Sequence, residues 1–390
     1  MKPAGINGAD VKRLNRLTVL QYLAQHKGVS RVQLTQQTNL TKMTISNIIN
    51  EFLEQGLVSA QQSESGQKLP GRKPVLLQFS QTSPVVIGIW LSRDYCSGVV
   101  TDMHLSTLGM HSIPLTEETS NTLEQKLGRL LSVLLQGVKR PVAGIGVASI
   151  GPLHLEQGVL LNPPNFFGIT DFSIKRAIEK NVCCPVFVQN DMNAAVLAEK
   201  YFGAGRGHAD FAYVGLTNGI GAGLMVHDRL LEGAGGFAGE LGHIVVDRQG
   251  PLCHCGNRGC LETFLSVPML LQGFEEKFQR KISGFAELCA LCRQETAYAQ
   301  WLKERLEPFV VGLSNLCNLF DPQVVILGHE GALLGQPYVA YVQEEVNRRV
   351  LASGFVHIPV VTSPFSTLAP LLGASAVVLE RIFLGELALG

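Results

Sequence analysis

The sequence predicts an α/β protein with a small helical head followed by a larger body of two related lobes. After residue 84, apolar runs rich in β-branched residues alternate with helical patterns, which indicates layered α/β structure. A strand, strand, helix, strand order begins near residue 85 and again near residue 211, and this repeat predicts two lobes with a cleft between them. Residues 1–80 show three short helical patterns instead.

The head begins with three predicted helices. The first covers residues 10–26, and Ser30 and Thr41 are favourable N-caps for the second and third. Gly56 ends the third helix, because glycine tolerates the left-handed conformation that stops a helix. The apolar stripe of the first helix is expected to consist of Val11, Leu14, Leu17, Val19, Leu20 and Leu23.

A two-stranded wing is predicted to follow the third helix. Strand patterns begin at Leu57 and cover residues 75–79, and the polar stretch 61–68 forms the tip between them. Three helices followed by such a wing make a winged helix-turn-helix, which we assign to residues 1–80.

The body, residues 84–390, is predicted to be an actin-like α/β domain. Its strand patterns occupy residues 85–91, 98–101, 144–148, 186–189, 212–216, 222–226 and 324–327. Its helical patterns occupy residues 122–138, 171–180, 192–202 and 300–319.

Composition narrows the class of protein. Hydrophobic residues make up 46% of the chain, which is enough for large cores and excludes a disordered protein. We expect no membrane span of ~18 apolar residues and see no signal-peptide layout, so the predicted location is the cytoplasm, at the nucleoid. A cytoplasmic setting and an odd count of nine cysteines both argue against a disulfide framework.

Charge is unevenly distributed although the formal net charge is zero. Residues 1–80 hold ten Lys/Arg and four Asp/Glu, whereas the rest of the chain holds 22 and 28. A basic head on an acidic body predicts that the head binds nucleic acid.

The third helix of the head is the predicted reading element for double-stranded DNA. Its outer face carries short polar side chains and one cation, which suit base edges and phosphates in the major groove: Thr41, Lys42, Thr44, Ser46 and Asn47. Arg72 and Lys73 stand between Gly71 and Pro74, where an extended backbone can enter the minor groove. The alternative is an ordinary solvated surface.

Three cysteines within eight residues predict a metal site. Cys253, Cys255 and Cys260, together with His243, supply three thiolates and an imidazole, which is a closed tetrahedral set for structural Zn²⁺. His254 is the alternative fourth ligand, but adjacent residues would strain to reach one ion together. We therefore expect a zinc loop over residues 243–260.

Two motifs give the chain a family resemblance. Gly239-Glu240-Leu241-Gly242-His243 and Cys253-x-Cys255-Gly256-x2-Gly259-Cys260-Leu261-Glu262 resemble the signatures of the ROK family, which groups sugar-responsive repressors with sugar kinases. The resemblance covers residues 10–385, and the head places the chain with the NagC/XylR-type regulators. It implies a body with the two-lobed sugar-kinase fold, which is ribonuclease H-like.

The resemblance also implies a set of sugar contacts. These residues are Asn165, Asn190, Asp191, Glu240, His243 and Glu262. Family kinases use the aspartate matching Asp191 as a base, and here Asp191 is expected at least to hydrogen-bond a sugar hydroxyl. His243 can ligate zinc with one nitrogen and address the sugar with the other.

The phosphate-binding elements that a ROK kinase needs are incomplete. The first loop, residues 90–94, has Trp90 at the family's metal-linked aspartate and no glycine. The second, residues 217–223, keeps its glycines, and His329 replaces a glycine of the adenosine region. No catalytic residues and no kinase activity are predicted.

The sequence therefore predicts a sugar-responsive DNA-binding transcriptional regulator of the repressor type that is not an enzyme, and its predicted targets are genes of carbohydrate uptake and catabolism. Its partners would be an operator duplex, a sugar or sugar-phosphate effector, and further copies of itself in a homodimer or homotetramer. Two alternatives stay open: an active ATP-dependent sugar kinase with an appended head, and a regulator controlled by a partner protein.

Overall fold

The computed structural model describes residues 8–62 and 75–389. The backbone divides into two compact units. The first comprises the chain up to Ala148, Ser173–Val188 and the chain from Ala374 onward, and the second comprises Ser149–Phe172 and Gln189–Gly373.

The head has the predicted helices and wing strands. Its elements are α1 (Gly8–Gln25), β1 (Val29–Ser30), α2 (Arg31–Thr38), α3 (Lys42–Glu54), β2 (Val58–Gln62) and β3 (Val75–Phe79). Ser30 caps α2 in a capping box with Gln33, and Thr41 caps α3 by accepting a hydrogen bond from the Thr44 N–H. The strands form a three-stranded sheet in the order β1-β3-β2. Arg72, Lys73 and most of the predicted wing tip lie outside the described residues.

The core of the head is formed by one face of each helix and by β3. Its most deeply buried side chains are Val19, Leu23, Leu34, Ile45, Ile49, Phe52 and Leu77. The predicted stripe on α1 holds for its C-terminal half only, because Val11 and Leu14 are 46% and 49% exposed.

The first large sheet belongs to the first unit. Its elements and neighbours are β4 (Val85–Leu91), β5 (Tyr95–Thr101), β6 (Thr107–Pro114), α4 (Ser120–Leu135), β7 (Val142–Ser149), α5 (Ile174–Glu179) and β11 (Val186–Asn190). The sheet order is β11-β7-β4-β5-β6, and β4, β5 and β6 are paired antiparallel. Helix α4 packs on β5 with a wholly apolar buried face.

The second large sheet repeats this plan in the second unit. Its strands are β12 (Phe211–Leu216), β13 (Ile220–Val226), β14 (Arg229–Leu230), β15 (Val324–His329) and β16 (Val360–Thr362). From β16 the order is β16-β15-β12-β13-β14, which matches the first sheet strand for strand. The strands β12, β13 and β14 are antiparallel, whereas β15 runs parallel to both neighbours. The repeat predicted near residues 85 and 211 is therefore present.

Several helices complete the body. They are α6 (Asp191–Phe202), α7 (Glu262–Leu265), α8 (Val267–Phe278), α9 (Phe285–Gln294), α10 (Thr296–Phe320), α11 (Gln336–Arg349) and α12 (Ala369–Phe383). A small sheet of β8 (Leu153–His154), β9 (Val159–Leu160) and β10 (Phe172–Ser173) was not predicted. These strands are two residues long and carry no periodic signal.

One stretch of the body bears on the expectation that the chain has no membrane span. Residues 366–383, which include α12, are long and apolar enough to cross a membrane by length and composition. However, 72% of this stretch is buried inside the protein, as in the core helix of a folded domain.

Candidate metal and sugar site

The metal loop follows strand β13 and is shaped by glycines. A short 3₁₀ turn at Leu241–His243 presents His243, and backbone bridges join Val245 to Cys260. At Gly259 the φ angle is +72° and an added Cβ would lie 1.4 Å from the carbonyl oxygen of Asp247. Only glycine can occupy that position, so the close turn that carries Cys260 depends on it.

The four predicted zinc ligands converge. Their ligand atoms, from His243, Cys253, Cys255 and Cys260, all lie within 4.8 Å of one another. The Cys253 Sγ is 3.6 Å from the His243 Nδ1, and the Cys255 Sγ is 3.6 Å from the Cys260 Sγ. These separations are close to the edge of a tetrahedron around Zn²⁺, whose thiolate bonds are ~2.3 Å. The donor set fits a structural zinc ion.

The three thiols of the cluster differ in the direction of their pKa shifts. Burial raises the pKa of Cys253 and of Cys260. The backbone N–H of Asn257 lowers the pKa of the exposed Cys255 thiol to about 7. A divalent cation would be needed to hold all three as thiolates, because it supplies the positive charge that burial otherwise removes.

Glu262 lies at the side of this cluster. Its Oε1 atom is 3.2 Å from the Cys253 Sγ, 3.6 Å from the His243 Nδ1 and 3.1 Å from the His254 Nδ1. Its Oε2 faces Gly219 in the turn between β12 and β13, where an added Cβ would be 3.0 Å away. Sequence reasoning assigned Glu262 to a sugar and weighed His254 only as a rival zinc ligand. The contact between these two side chains is a tertiary feature.

Three of the residues expected to contact a sugar share one location. Loss of hydration raises the pKa of Glu240, His243 opposes that shift, and the negative charge of Glu262 adds to it. This coupling shows that the three groups lie within electrostatic range of one another. Two carboxylates and an imidazole are suitable hydrogen-bonding partners for a polyol.

Asn190 and Asp191 begin a different element. The Asn190 Oδ1 caps α6 by accepting hydrogen bonds from the N–H groups of Met192 and Asn193, at 2.9 and 3.3 Å. Asp191 is 8% exposed and stands in the first turn, where a negative charge is favoured by the helix dipole. Asn165 is an exposed loop residue with φ of +57°.

The outer face of α3 is partly occupied by local bonds. Thr41 and Thr44 hydroxyls lie 2.9 Å apart within the helix cap, while Lys42 and Asn47 are exposed and Ser46 is half-buried. Met43, which was not among the predicted DNA contacts, is 75% exposed in the first helical turn. Apolar side chains on a reading helix can contact thymine methyl groups.

The two hairpin turns that correspond to kinase phosphate loops differ. In the first, the Ser92 hydroxyl bonds to the Tyr95 carbonyl at 2.9 Å and accepts from the Tyr95 N–H at 3.1 Å. In the second, the Thr217 N–H donates to the Gly219 carbonyl at 2.8 Å, and the Thr217 hydroxyl accepts from the Gly219 N–H at 3.3 Å. Each turn is therefore closed in part by its own hydroxyl, and the second differs by containing Gly219.

His329 occupies a glycine-like position at the end of β15. Its φ angle is +49°, its side chain is 1% exposed, and burial lowers the pKa of its imidazole to about 3. The ring contacts Tyr213 edge-on, with 6.2 Å between ring centroids. A neutral, buried imidazole therefore fills space that a glycine would leave open.

The chain belongs to the ROK family, whose pattern matches residues 86–381. It is 30% identical over 400 residues to the "Xylose repressor" of Caldicellulosiruptor bescii, covering 95% of this chain and 96% of that one. It is also 32% identical over 279 residues to the "Glucokinase" of Thermotoga maritima, covering 67% of this chain and 87% of that one.

A solved structure shares the fold of nearly the whole chain. It is described as a ROK family transcriptional regulator, a homologue of the E. coli MLC protein, and it aligns with a TM-score of 0.79 at 24% identity. The alignment covers 96% of this chain and 97% of that one. The similarity thus includes the head as well as the body.

Proposed function

We propose that the protein is a sugar-responsive transcriptional repressor in which residues 1–80 bind DNA and residues 84–390 bind the effector. The observation that carries this proposal is the presence, in one chain, of a capped helix with an exposed polar face and a metal loop beside clustered hydroxyl-binding groups. Similarity along nearly the full length to a relative named "Xylose repressor" supports it.

DNA binding is assigned to α3 and, in the wing, to Arg72 and Lys73. The N-terminal half of α3 presents Lys42 and Asn47, which can reach a phosphate and a base edge in the major groove. Two heads in a homodimer or homotetramer would read half-sites about one helical turn apart. The protein would act in the cytoplasm, at the nucleoid.

Selection of duplexes from a random library, followed by gel-shift titration, tests this assignment. We expect Asn47→Ala to relax base preference at one position, at a cost of about 1–3 kcal/mol. Lys42→Ala should weaken binding to all duplexes and reduce its salt dependence. Lys277→Ala, an exposed cation on α8, is the matched control. Equal binding by all three variants would exclude α3 as the reading helix.

The effector is proposed to be a sugar or sugar phosphate held by Glu240, His243 and Glu262, with Asp191, Asn190 and Asn165 completing the contacts. Zn²⁺ on His243, Cys253, Cys255 and Cys260 would fix the imidazole and the loop that leads to Glu262. D-xylose is the first candidate, because one relative is named for it.

A thermal-shift screen of pentoses, hexoses, amino sugars and their phosphates tests the effector. A ligand that binds only the folded protein raises the Tm by linkage. Metal analysis of freshly purified protein tests the zinc. A protein that lacks zinc, and whose duplex affinity is the same with every carbohydrate, would contradict the proposal.

Occupancy of the pocket is proposed to change the spacing of the heads in the oligomer, with the zinc loop transmitting the signal. Within the first unit, α1 has direct contacts that can carry such a signal: the His104 Nδ1 bonds to the Ala24 carbonyl at 2.9 Å, and Arg13 donates to the Gly385 carbonyl at 3.1 Å. If His243→Ala lost zinc yet kept normal induction, transmission through the loop would be wrong.

Kinase activity is the second candidate, favoured by the similarity to a glucokinase. We propose that it is absent, because Trp90 and Ser92 replace phosphate-loop residues and His329 fills a glycine position. A coupled assay for ADP formation with a panel of sugars tests this. Sugar-dependent turnover of ATP by the wild-type protein would establish the kinase instead.

A further inference from the structure

His254 lies between two zinc ligands but points to a carboxylate. Its Nδ1 is 3.1 Å from the Glu262 Oε1, and its ring meets the His243 ring edge-on with centroids 5.1 Å apart. The His254 side chain is 45% exposed, whereas that of Glu262 is 15% exposed. The imidazole therefore covers the carboxylate on its solvent side.

Glu262 has a second neighbour in the same loop, because its Oε1 atom also lies 3.2 Å from the Cys253 Sγ. Cys253 and His243 are among the four residues that would hold zinc. His254 is outside that set of four, so its contact with the Glu262 Oε1 atom would not be needed for the metal.

We infer that His254 is a positioning residue, which holds the Glu262 carboxylate in place for the sugar. The inference rests on the proposed function and deepens it. The contact of 3.1 Å between the His254 Nδ1 and the Glu262 Oε1 restricts rotation of the carboxylate, whose other oxygen lies near Gly219. A fixed acceptor loses less rotamer entropy when it binds a hydroxyl.

The test uses zinc-loaded, full-length protein titrated with D-xylose, D-glucose and N-acetyl-D-glucosamine in a calorimeter. His254→Ala removes the donor, while His254→Asn keeps an N–H close to the place of Nδ1. Arg258→Ala, an exposed side chain of the same loop, is the control. Zinc per chain is measured for each variant.

We expect unchanged zinc content in all variants and a Kd about tenfold weaker in His254→Ala for whichever sugar the wild type binds. His254→Asn should restore the Kd to within about threefold, and Arg258→Ala should match the wild type. Such rescue by an N–H donor is not expected of a residue that only fills space.

Two results would overturn the inference alone. In the first, the wild type binds a sugar and His254→Ala binds it equally well. In the second, both His254 variants lose zinc, which would make His254 a ligand. A wild-type protein that binds none of the three sugars would instead remove the proposed function, and this inference with it.

Discussion

The two large sheets share a strand order but differ at their hairpin turns and in the helices that cover them. The β4–β5 turn has no glycine, whereas the β12–β13 turn contains Gly219, which faces Glu262. Helix α4 buries only leucines, whereas α6 buries Asp191 and Glu199 as well. The repeat therefore provides a common scaffold, while the cluster of cysteine and histidine side chains that could hold a metal lies in the second unit.

The glycines of the second hairpin also have a packing role. An added Cβ at Gly221 would lie 2.8 Å from the Met192 Cγ, and at Gly223 it would lie 2.7 Å from the Met192 carbonyl oxygen. These positions let α6 approach β13 closely. A glycine-rich hairpin is thus explained by helix packing even where no phosphate is bound.

Removing the metal is expected to give the largest difference between the two hairpins. Cys260→Ser should abolish stoichiometric zinc and lower the stability of the folded protein by about 4 kcal/mol when free zinc exceeds its Kd about 1,000-fold. Because Glu262 connects the loop to the second turn, amide hydrogen exchange should quicken at residues 217–219. Exchange at residues 92–95 should not change, and faster exchange at both turns would show that the loop stabilises the whole protein.

The contact of α6 with β13 and that of α4 with β5 differ in how far the atoms can move when a methyl group is added. Gly223→Ala places a Cβ against the backbone of α6, which cannot move aside, and should cost about 3 kcal/mol. Gly98→Ala meets side-chain atoms, the Leu134 Cδ1 at 2.4 Å and the Leu130 Cδ2 at 3.3 Å, and should cost about 1 kcal/mol because such side chains can shift. Chemical denaturation measures both, and equal costs would contradict this difference.

The carboxyl group of Glu199 on α6 is buried, and this burial should make the stability of the protein depend on pH. Glu199 is fully buried, and burial raises its pKa from 4.5 to about 7, opposed by hydrogen bonds from Ser363 and Ala204. The folded protein therefore binds this proton more tightly than the unfolded chain. The free energy of unfolding therefore falls as the pH rises from about 4.5 to about 7, by roughly 2–3 kcal/mol, and the loss is complete above about pH 7.

Glu199→Gln tests this dependence, because an amide keeps the size of the side chain and does not titrate. We expect its Tm to change less than that of the wild type between pH 5 and pH 8. Glu118→Gln is the comparison in the first unit, where the Lys126 hydrogen bond holds the carboxyl pKa below its usual range despite burial. If Glu199→Gln kept the full pH dependence, the buried carboxyl would not be its source.

The smallest effect is expected at the turn that joins β5 to β6 in the first sheet and at the matching turn that joins β13 to β14 in the second sheet. His104, between β5 and β6, bonds to the Ala24 carbonyl and packs edge-on against Phe79 of the wing. His227, between β13 and β14, is 89% exposed. His104→Ala should lower exchange protection at the end of α1 by about 1 kcal/mol, whereas His227→Ala should leave it unchanged. Equal protection in both variants would mean that the hydrogen bond between His104 and the Ala24 carbonyl does not stabilise the end of α1.

Predictions from sequence were strongest where chain-local chemistry decides the structure. The caps at Ser30 and Thr41, the stop at Gly56 and the strand Val85–Leu91 are as predicted, because each depends on residues adjacent in the chain. The metal cluster was predictable for the same reason, since three of its members lie within eight residues.

Predictions were weaker where a distant partner decides the environment. Val11 and Leu14 fit a helical stripe yet lie on the surface, because periodicity shows which residues share a face but not how far along it the core extends. The contact of His254 with Glu262 had no signal in the spacing of the residues.

The sequence by itself determined the helices of the head, the two repeated sheets and the members of the Cys₃His cluster, because caps, periodicity and short spacings act within a few residues. Only the tertiary structure decided which polar groups meet: Glu262 with His254, Glu199 with Ser363, and His104 with the end of α1. Such pairs join segments that are separate in the chain and that packing brings together. The charge, hydration and orientation of each group therefore depend on its neighbour.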